Sequence, residues 1–351
     1  MSVTVEEFAD RVFMSALGAV EIYSIHIGDR LGFYRALADA AKTSTGLAAE
    51  TGVEERYVRE WLEQQATYGI LEVDFGGEGP LFTLPDPQSQ VLTDENNGSY
   101  LAPLARMLTT AGEKMALLLD AYRSGDGVSW EMYGQDMRES QADMNRPFFE
   151  NELALVFAGL GRVHDLASRP GARVADIGCG AGWSTLALAR AYPEATFSGF
   201  DIDAPSIEMA AQNAIDAGLD ERITFSSQDP AGREGEDRYD LVVAFECIHD
   251  MPRPIEVLKA VRDMVKEDGL VVIMDEAVGD TFTGNGDALE KLMYGFSILI
   301  CLPDGLSSKP SAGTGTVMRP STLEAYGIEA GFTGLRPVAE SGFFRFYELA
   351  P

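Results

Sequence analysis

One glycine turn, a set of acidic residues after apolar runs, and one histidine are the features of this 351-residue chain whose types and spacing point to chemistry. The turn lies in Val174-Ala175-Asp176-Ile177-Gly178-Cys179-Gly180-Ala181-Gly182-Trp183-Ser184-Thr185. An apolar run there gives way to three alternate glycines, which let a backbone lie close against a nucleotide-like ligand. A dinucleotide fingerprint wants a third glycine where Trp183 stands, and Asp176 would face the phosphates. The two together favour an amine-bearing or positively charged ligand and disfavour a nicotinamide oxidoreductase. Asp201, in Gly199-Phe200-Asp201-Ile202-Asp203, comes nineteen residues after Gly182, the interval at which a carboxylate accepts hydrogen bonds from ribose hydroxyls. Asp229, beside Gln228, is placed to accept from an exocyclic amine such as that of adenine. His249 sits in Phe245-Glu246-Cys247-Ile248-His249-Asp250, and imidazole is the side chain best poised to take a proton near neutral pH.

These residues work together only if the chain brings them to one edge. Short apolar runs predict strands over 174–177, 196–200, 223–226, 241–245 and 270–274, with helices such as 207–217 and 255–265 between them. Such alternation predicts a parallel sheet with helices on both faces, in which all strand carboxyl ends share one rim where ligands bind. Of the three histidines, His26 falls in the first apolar helix, His164 before the first of these strands, and His249 alone on the rim. A helix over 321–330 and a closing antiparallel pair over 334–338 and 343–349 complete the region. The run 281–316, with Met293, Tyr294, Phe296 and Cys301 at helical spacing, is long enough to act as a lid, and helical core packing explains the same stripe.

Ahead of this region the chain is of another type. Thr4 and Glu7 have capping-box spacing, and Phe8, Val12, Phe13, Ala16, Leu17 and Val20 recur on a wide apolar helix face that needs covering; Gly28 and Gly32 are expected to interrupt the pattern. Two short helices around a turn at Gly52, followed by a two-stranded wing around Phe75-Gly76-Gly77-Glu78-Gly79-Pro80, make a winged-helix pattern. Between residues 43 and 73 there are six acidic side chains (Glu50, Glu54, Glu55, Glu60, Glu63, Glu72) against two basic ones (Arg56, Arg59), a net of −4, the wrong sign for a helix that reads DNA. A helix over 101–122 and a dense set of large apolar residues, Trp130, Met132, Tyr133, Met144, Phe148 and Phe149, suit interdomain packing or ligand contact. The domain boundaries expected are a winged-helix dimerisation domain over 1–90, a helical connector over 91–150 and a ligand-binding domain over 151–351.

Composition narrows the partners. With 56 acidic and 27 basic residues the formal charge is −29, so nucleic acid and anionic membranes are poor partners. No run approaches the roughly 18 apolar residues that span a bilayer, and the start shows no basic segment before an apolar one, so a cytoplasmic location is expected. Cys179, Cys247 and Cys301 are too far apart for a CxxC pair, and no His or Cys cluster has metal-ligand spacing; no metal is expected.

From about residue 155 to 351, through DIGCGAG, the FDID strand end, Gln228-Asp229 and the YDLVVAFECIHDM segment from Tyr239, the chain resembles the class I methyltransferases that use S-adenosylmethionine. With the winged-helix segment in front it resembles the two-domain small-molecule methyltransferases. The resemblance implies a Rossmann-like seven-stranded α/β sheet behind a mostly helical winged-helix domain, S-adenosyl-L-methionine as cofactor, a small-molecule acceptor and a homodimer formed through the N-terminal part. It implies further that Asp176, Gly178, Gly180 and Gly182 serve the methionine end of the cofactor, Asp201 the ribose, Gln228 and Asp229 the adenine, that Ile202 also belongs to the cofactor site, and that Phe245 lines the cofactor near the reacting methyl. His249-Asp250 resembles the His-Asp of the O-methyltransferases of this layout, whose histidine is the general base, although Met251-Pro252 stands where the family carries an aromatic residue. Glu246, Asp275 and Glu276 are placed either to orient His249 or to bind the acceptor. The alternatives are a sulfur or nitrogen acceptor that needs no base, and a winged-helix regulator that senses the cofactor.

Overall fold

The computed structural model describes residues 3–77, 79–229 and 238–350. Glu78 of the expected wing turn lies outside them. The chain divides into two compact units, Met1–Glu113 with Glu139–Pro147, and Lys114–Arg138 with Phe148–Pro351. The stretch expected to be a connector, 91–150, is therefore shared between the units.

In the first unit the helix Val5–Arg30 starts at the predicted capping box, where Thr4 Oγ1 accepts from the Glu7 amide at 3.2 Å and Glu7 Oε2 accepts from the Thr4 amide at 2.8 Å. Gly28 does not interrupt it. A Cβ there would stand 2.4 Å from the Trp61 ring and 2.6 Å from Tyr34, so this glycine serves close packing inside a continuous helix. The break comes at Gly32, in the left-handed region at φ 71°, before the helix Phe33–Asp39. The helices Ser44–Thr51 and Glu55–Thr67 follow, then the antiparallel wing of β1 (Glu72–Asp74) and β2 (Leu81–Thr83). Phe33, Tyr34, Leu47, Val58, Trp61, Leu62 and Phe82 form their core. Arg56 and Arg59 are spent within their own helix, on Glu60 and Glu55. Phe8, Val12, Phe13 and Val20 remain exposed on the long helix, each at least half accessible.

The second unit is built on one seven-stranded sheet. In chain order its strands are β3 (Arg173–Ile177), β4 (Thr196–Phe200), β5 (Ile223–Ser226), β6 (Tyr239–Phe245), β7 (Val265–Glu276), β8 (Gly334–Ser341) and β9 (Phe344–Ala350), and in space they run β5-β4-β3-β6-β7-β9-β8. The first five are parallel to one another, and β9 is antiparallel to both β7 and β8. All seven residues of β6 are buried, as befits a central strand covered on both faces. The chain leaves β3 toward β4 and β5 and then returns to β3's other side as β6, which makes the carboxyl ends of β3 and β6 the switch point where a crevice opens. Among the described residues no helix is long and apolar enough to cross a membrane.

Candidate functional site

At the end of β3 the backbone turns through Gly178, Gly180 and Gly182 at φ 68°, 50° and 80°, a region that side chains with a Cβ rarely enter. Two of the three also lack space for a Cβ. At Gly178 it would stand 2.6 Å from Cys247 Cβ, and at Gly182 2.8 Å from the Phe225 ring. Gly180 differs, for a Cβ there would meet only open space, so this is where the loop is bare to a ligand. Its amide donates at 2.9 Å to Asp201 Oδ2, while the Asp203 amide donates at 2.9 Å to Asp201 Oδ1. The carboxylate after β4 thus ties two loops of the rim together, and Ile202 beside it is 71% exposed.

Asp176 lies under the loop rather than on its surface. Its Oδ2 accepts from Ser184 Oγ and Thr185 Oγ1, both at 2.6 Å, in the first turn of the helix Trp183–Ala191. Its Oδ1 is buried without a hydrogen-bond partner among the described residues. Burial pushes the carboxyl up to about 6, against the pull of the two hydroxyl bonds. Gln228 and Asp229 follow β5, with Gln228 exposed and Asp229 paired to Arg253 at 3.0 Å. The Phe245 ring, expected beside a reacting methyl, packs between Phe149 and Phe157, at centroid distances of 5.9 and 6.1 Å, as part of the core.

His249 is reached by a strained turn. Glu246, directly after β6, sits at φ 50°, the only described non-glycine residue with positive φ, a conformation that costs on the order of 1–2 kcal/mol. The chain then folds inward. Imidazole Nδ1 lies 3.0 Å from Asp275 Oδ1 at the end of β7 and 3.5 Å from Glu276 Oε2; Nε2 lies 3.1 Å from Asp250 Oδ1. Burial alone would lower the histidine pKa, but Asp250, Asp275 and Glu276 together hold it well above its ordinary value. Asp275 is correspondingly held low by the imidazolium despite its burial, whereas burial next to Asp275 pushes Glu276 well up. The buried imidazole thus faces three acidic side chains, Asp250, Asp275 and Glu276, that favour its protonated form over the neutral one.

The predicted lid lies against this histidine. The Gly315 amide donates to the His249 carbonyl at 3.2 Å and the Ala312 amide to that of Pro252 at 2.8 Å, while a Cβ at Gly305 would be 2.9 Å from the Asp250 carbonyl. Asp304, on the helix Leu302–Leu306, is pushed up to about 7 by burial, with Asp250, Asp203 and Asp201 adding to the rise. The ligand atoms of His249, Asp250 and Cys301 lie within 4.8 Å of one another, as do those of His249, Asp275 and Glu276. The sequence offers Asp250, Asp275 and Glu276 as neighbours of His249, whereas Cys301 reaches it from the segment 281–316 and has no spacing that signals the contact. Cys179 and Cys247 are pushed well up by burial and stay thiols, with Cys247 Sγ donating to the Ile177 carbonyl at 3.2 Å.

Comparison with known proteins agrees with this architecture. Residues 168–297 match the model of a methyltransferase domain, and residues 19–94 match that of an Rv2258c-like winged HTH domain. Among curated proteins the chain is 26% identical over 157 residues to the methyltransferase ungE' of Aspergillus campestris, covering 41% of this chain and 44% of that one. It is 34% identical over 113 residues to the ubiquinone biosynthesis O-methyltransferase of Paracidovorax citrulli, covering 32% and 47%. The chain thus spans less than half the length of these relatives. Among solved structures it shares the fold of the mitomycin 7-O-methyltransferase MmcR, at 21% identity and a TM-score of 0.74 over 98% of each chain. Human N-acetylserotonin methyltransferase, solved with its cofactor, is likewise similar, at 17% identity and a TM-score of 0.76 over 100% of this chain and 99% of that one. The crevice suits the cofactor such a domain uses, since it offers a bare glycine turn at Gly180, an unsatisfied acceptor on Asp176 and an exposed apolar side chain at Ile202. The chain therefore carries a winged helix-turn-helix domain match at residues 19–94 and a methyltransferase domain match at residues 168–297, on the fold of these solved methyltransferases.

Proposed function

We propose that the protein transfers a methyl group from S-adenosylmethionine to a hydroxyl oxygen of a small molecule, with His249 as general base. The observation that carries this reading is the His249–Asp275 pair, Nδ1 to Oδ1 3.0 Å, at the end of the strand next to the one that bears the glycine turn. When bound, the cofactor supplies an electrophilic methyl on a sulfonium. Asp176 Oδ1 and the Gly178–Gly182 turn hold its amino-acid end, Asp201 and Ile202 its ribose, and Gln228 with Asp229 its adenine, while Phe245 backs the site from the core. Asp275 keeps Nδ1 engaged, so Nε2 is the nitrogen that receives the acceptor's proton once Asp250, whose side chain is 32% exposed, turns aside. The lid residues 302–315 exclude water from the line of transfer.

The test is the kinetic behaviour of His249→Ala. Retained cofactor affinity with a loss of kcat of about 10²–10⁴-fold fits a general base, whereas equal loss of both argues against it. One observation favours the base-free alternative, a sulfur or nitrogen acceptor: Asp250, Asp275 and Glu276 crowd around His249 and push its pKa well up. A pH profile distinguishes the two, as set out below. The regulator reading draws no support from the would-be recognition helix, whose two arginines are spent on glutamates of the same helix. The exposed apolar face of Phe8, Val12, Phe13 and Val20 supports a homodimer through the N-terminal unit.

A further inference from the structure

Arg138 lies in the same unit as the sheet and makes a two-pronged contact with Asp203, Nε to Oδ2 at 2.6 Å and Nη2 to Oδ1 at 2.7 Å. Both side chains are largely buried, at 7% and 13% exposure. Asp203 is also the N-cap of the helix Ala204–Asp216, where its Oδ2 accepts from the Ser206 amide at 3.0 Å and from Ser206 Oγ at 2.7 Å. Its own amide points the other way and donates at 2.9 Å to Asp201 Oδ1, whose second oxygen holds the Gly180 amide. A continuous series therefore runs from the Arg138 guanidinium through Asp203 to Asp201 and the bare glycine of the turn.

The segment that delivers Arg138 is itself pinned. Tyr122 Oη donates to the Ile298 carbonyl at 3.2 Å and Tyr133 Oη to that of Leu299 at 2.6 Å. The Val128 amide donates to the Pro303 carbonyl at 3.0 Å and the Trp130 amide to Asp304 Oδ1 at 2.7 Å. These four bonds leave Arg138 little freedom, so the fork reaches Asp203 already oriented.

We propose that Arg138 is a positioning residue for the cofactor site: by clamping Asp203 it sets the backbone that aims the Asp201 carboxylate. This rests on the reading that Asp201 holds the ribose. Arginine is suited to the task because its planar fork engages both carboxylate oxygens at once, which lysine cannot do.

Calorimetric titration with the demethylated, unreactive cofactor tests it in a two-by-two set of full-length variants. Arg138→Met should weaken binding about tenfold in protein that remains folded by thermal melting, and Arg138→Lys should recover part of the loss. In an Asp201→Ala background the same Arg138→Met change should cost less than about twofold further, since the group through which it acts is gone. Unchanged affinity in folded Arg138→Met, or a full tenfold loss in the Asp201→Ala background, overturns the proposal. If Arg138→Met does not fold, Asp203→Asn and Arg138→Lys carry the same comparison, and wild-type affinity in both overturns it equally. Wild-type affinity in Asp201→Ala itself would instead remove the ribose reading, which identifies the failure as lying there.

Discussion

His249 Nδ1 stands 3.0 Å from Asp275 Oδ1, across the ends of two neighbouring parallel strands, and both side chains are almost fully buried. Such a pair engages Nδ1, leaves Nε2 to Asp250 or to an acceptor, and shifts the pH at which the imidazole loses its proton. The direction is upward, because Asp250, Asp275 and Glu276 outweigh the effect of burial. A base that must first lose its proton gives kcat/KM an acid limb at its own pKa, so the limb should lie above the ordinary histidine value of about 6.5. Asp275→Asn should move it to lower pH and cut kcat by about 10–10²-fold. A profile flat across this range favours a sulfur or nitrogen acceptor.

The same shift bears on stability. A histidine whose folded-state pKa exceeds its unfolded value contributes stability that is complete below the unfolded value and is lost as pH rises through the folded one. Thermal melts of the wild type from pH 6 upward should therefore lose stability over an interval above about 6.5 that is missing in His249→Ala. Parallel curves for the two proteins would show that the imidazole is not charged in the ligand-free fold.

The glycine turn offers a packing test. Gly178→Ala places a Cβ against Cys247 at a φ of 68°, so clash and backbone strain add, and a loss of about 2–4 kcal/mol is expected from denaturant unfolding. Gly180→Ala meets no neighbour and should cost about 1–2 kcal/mol from backbone strain alone. Equal losses would mean that Cys247 does not constrain the turn.

Much of this was legible in the sequence because parallel strands buried on both faces are short continuous apolar runs. Strands β4 and β5 begin and end where the runs predict, and β3 gains only Arg173. Gly28 misled because a glycine inside a helical pattern can mean close approach as readily as interruption, and only the Trp61 and Tyr34 rings decide between them. The surroundings of His249 were half legible. The sequence offers Asp275 and Glu276 as partners, but their distances depend on the register of β6 with β7, which no spacing reveals. The Arg138–Asp203 contact joins residues 65 positions apart and leaves no local signature at all. The resemblance places Phe245 by the cofactor, and the structure adds that its ring packs in the core, in phase with Leu241 and Val243 of β6.

The helix Val5–Arg30 supplies a prediction for assembly. Replacing Phe8 and Phe13 together by glutamate puts two charges into the exposed apolar face and should convert a dimeric wild type to monomer in sedimentation velocity, with the fold retained. A wild type that sediments as a monomer would show that this face is not closed by a second copy.

The central claim is that the crevice at the carboxyl ends of β3 and β6 takes S-adenosylmethionine, with Asp201 after the neighbouring β4 holding it, and calorimetric titration of the purified protein tests it most directly. The account predicts saturable one-to-one binding of S-adenosylmethionine and of its demethylated product, no binding of NAD, and an affinity at least about tenfold weaker in Asp201→Ala. Absence of binding by the wild type, or an affinity unchanged in Asp201→Ala, would contradict it.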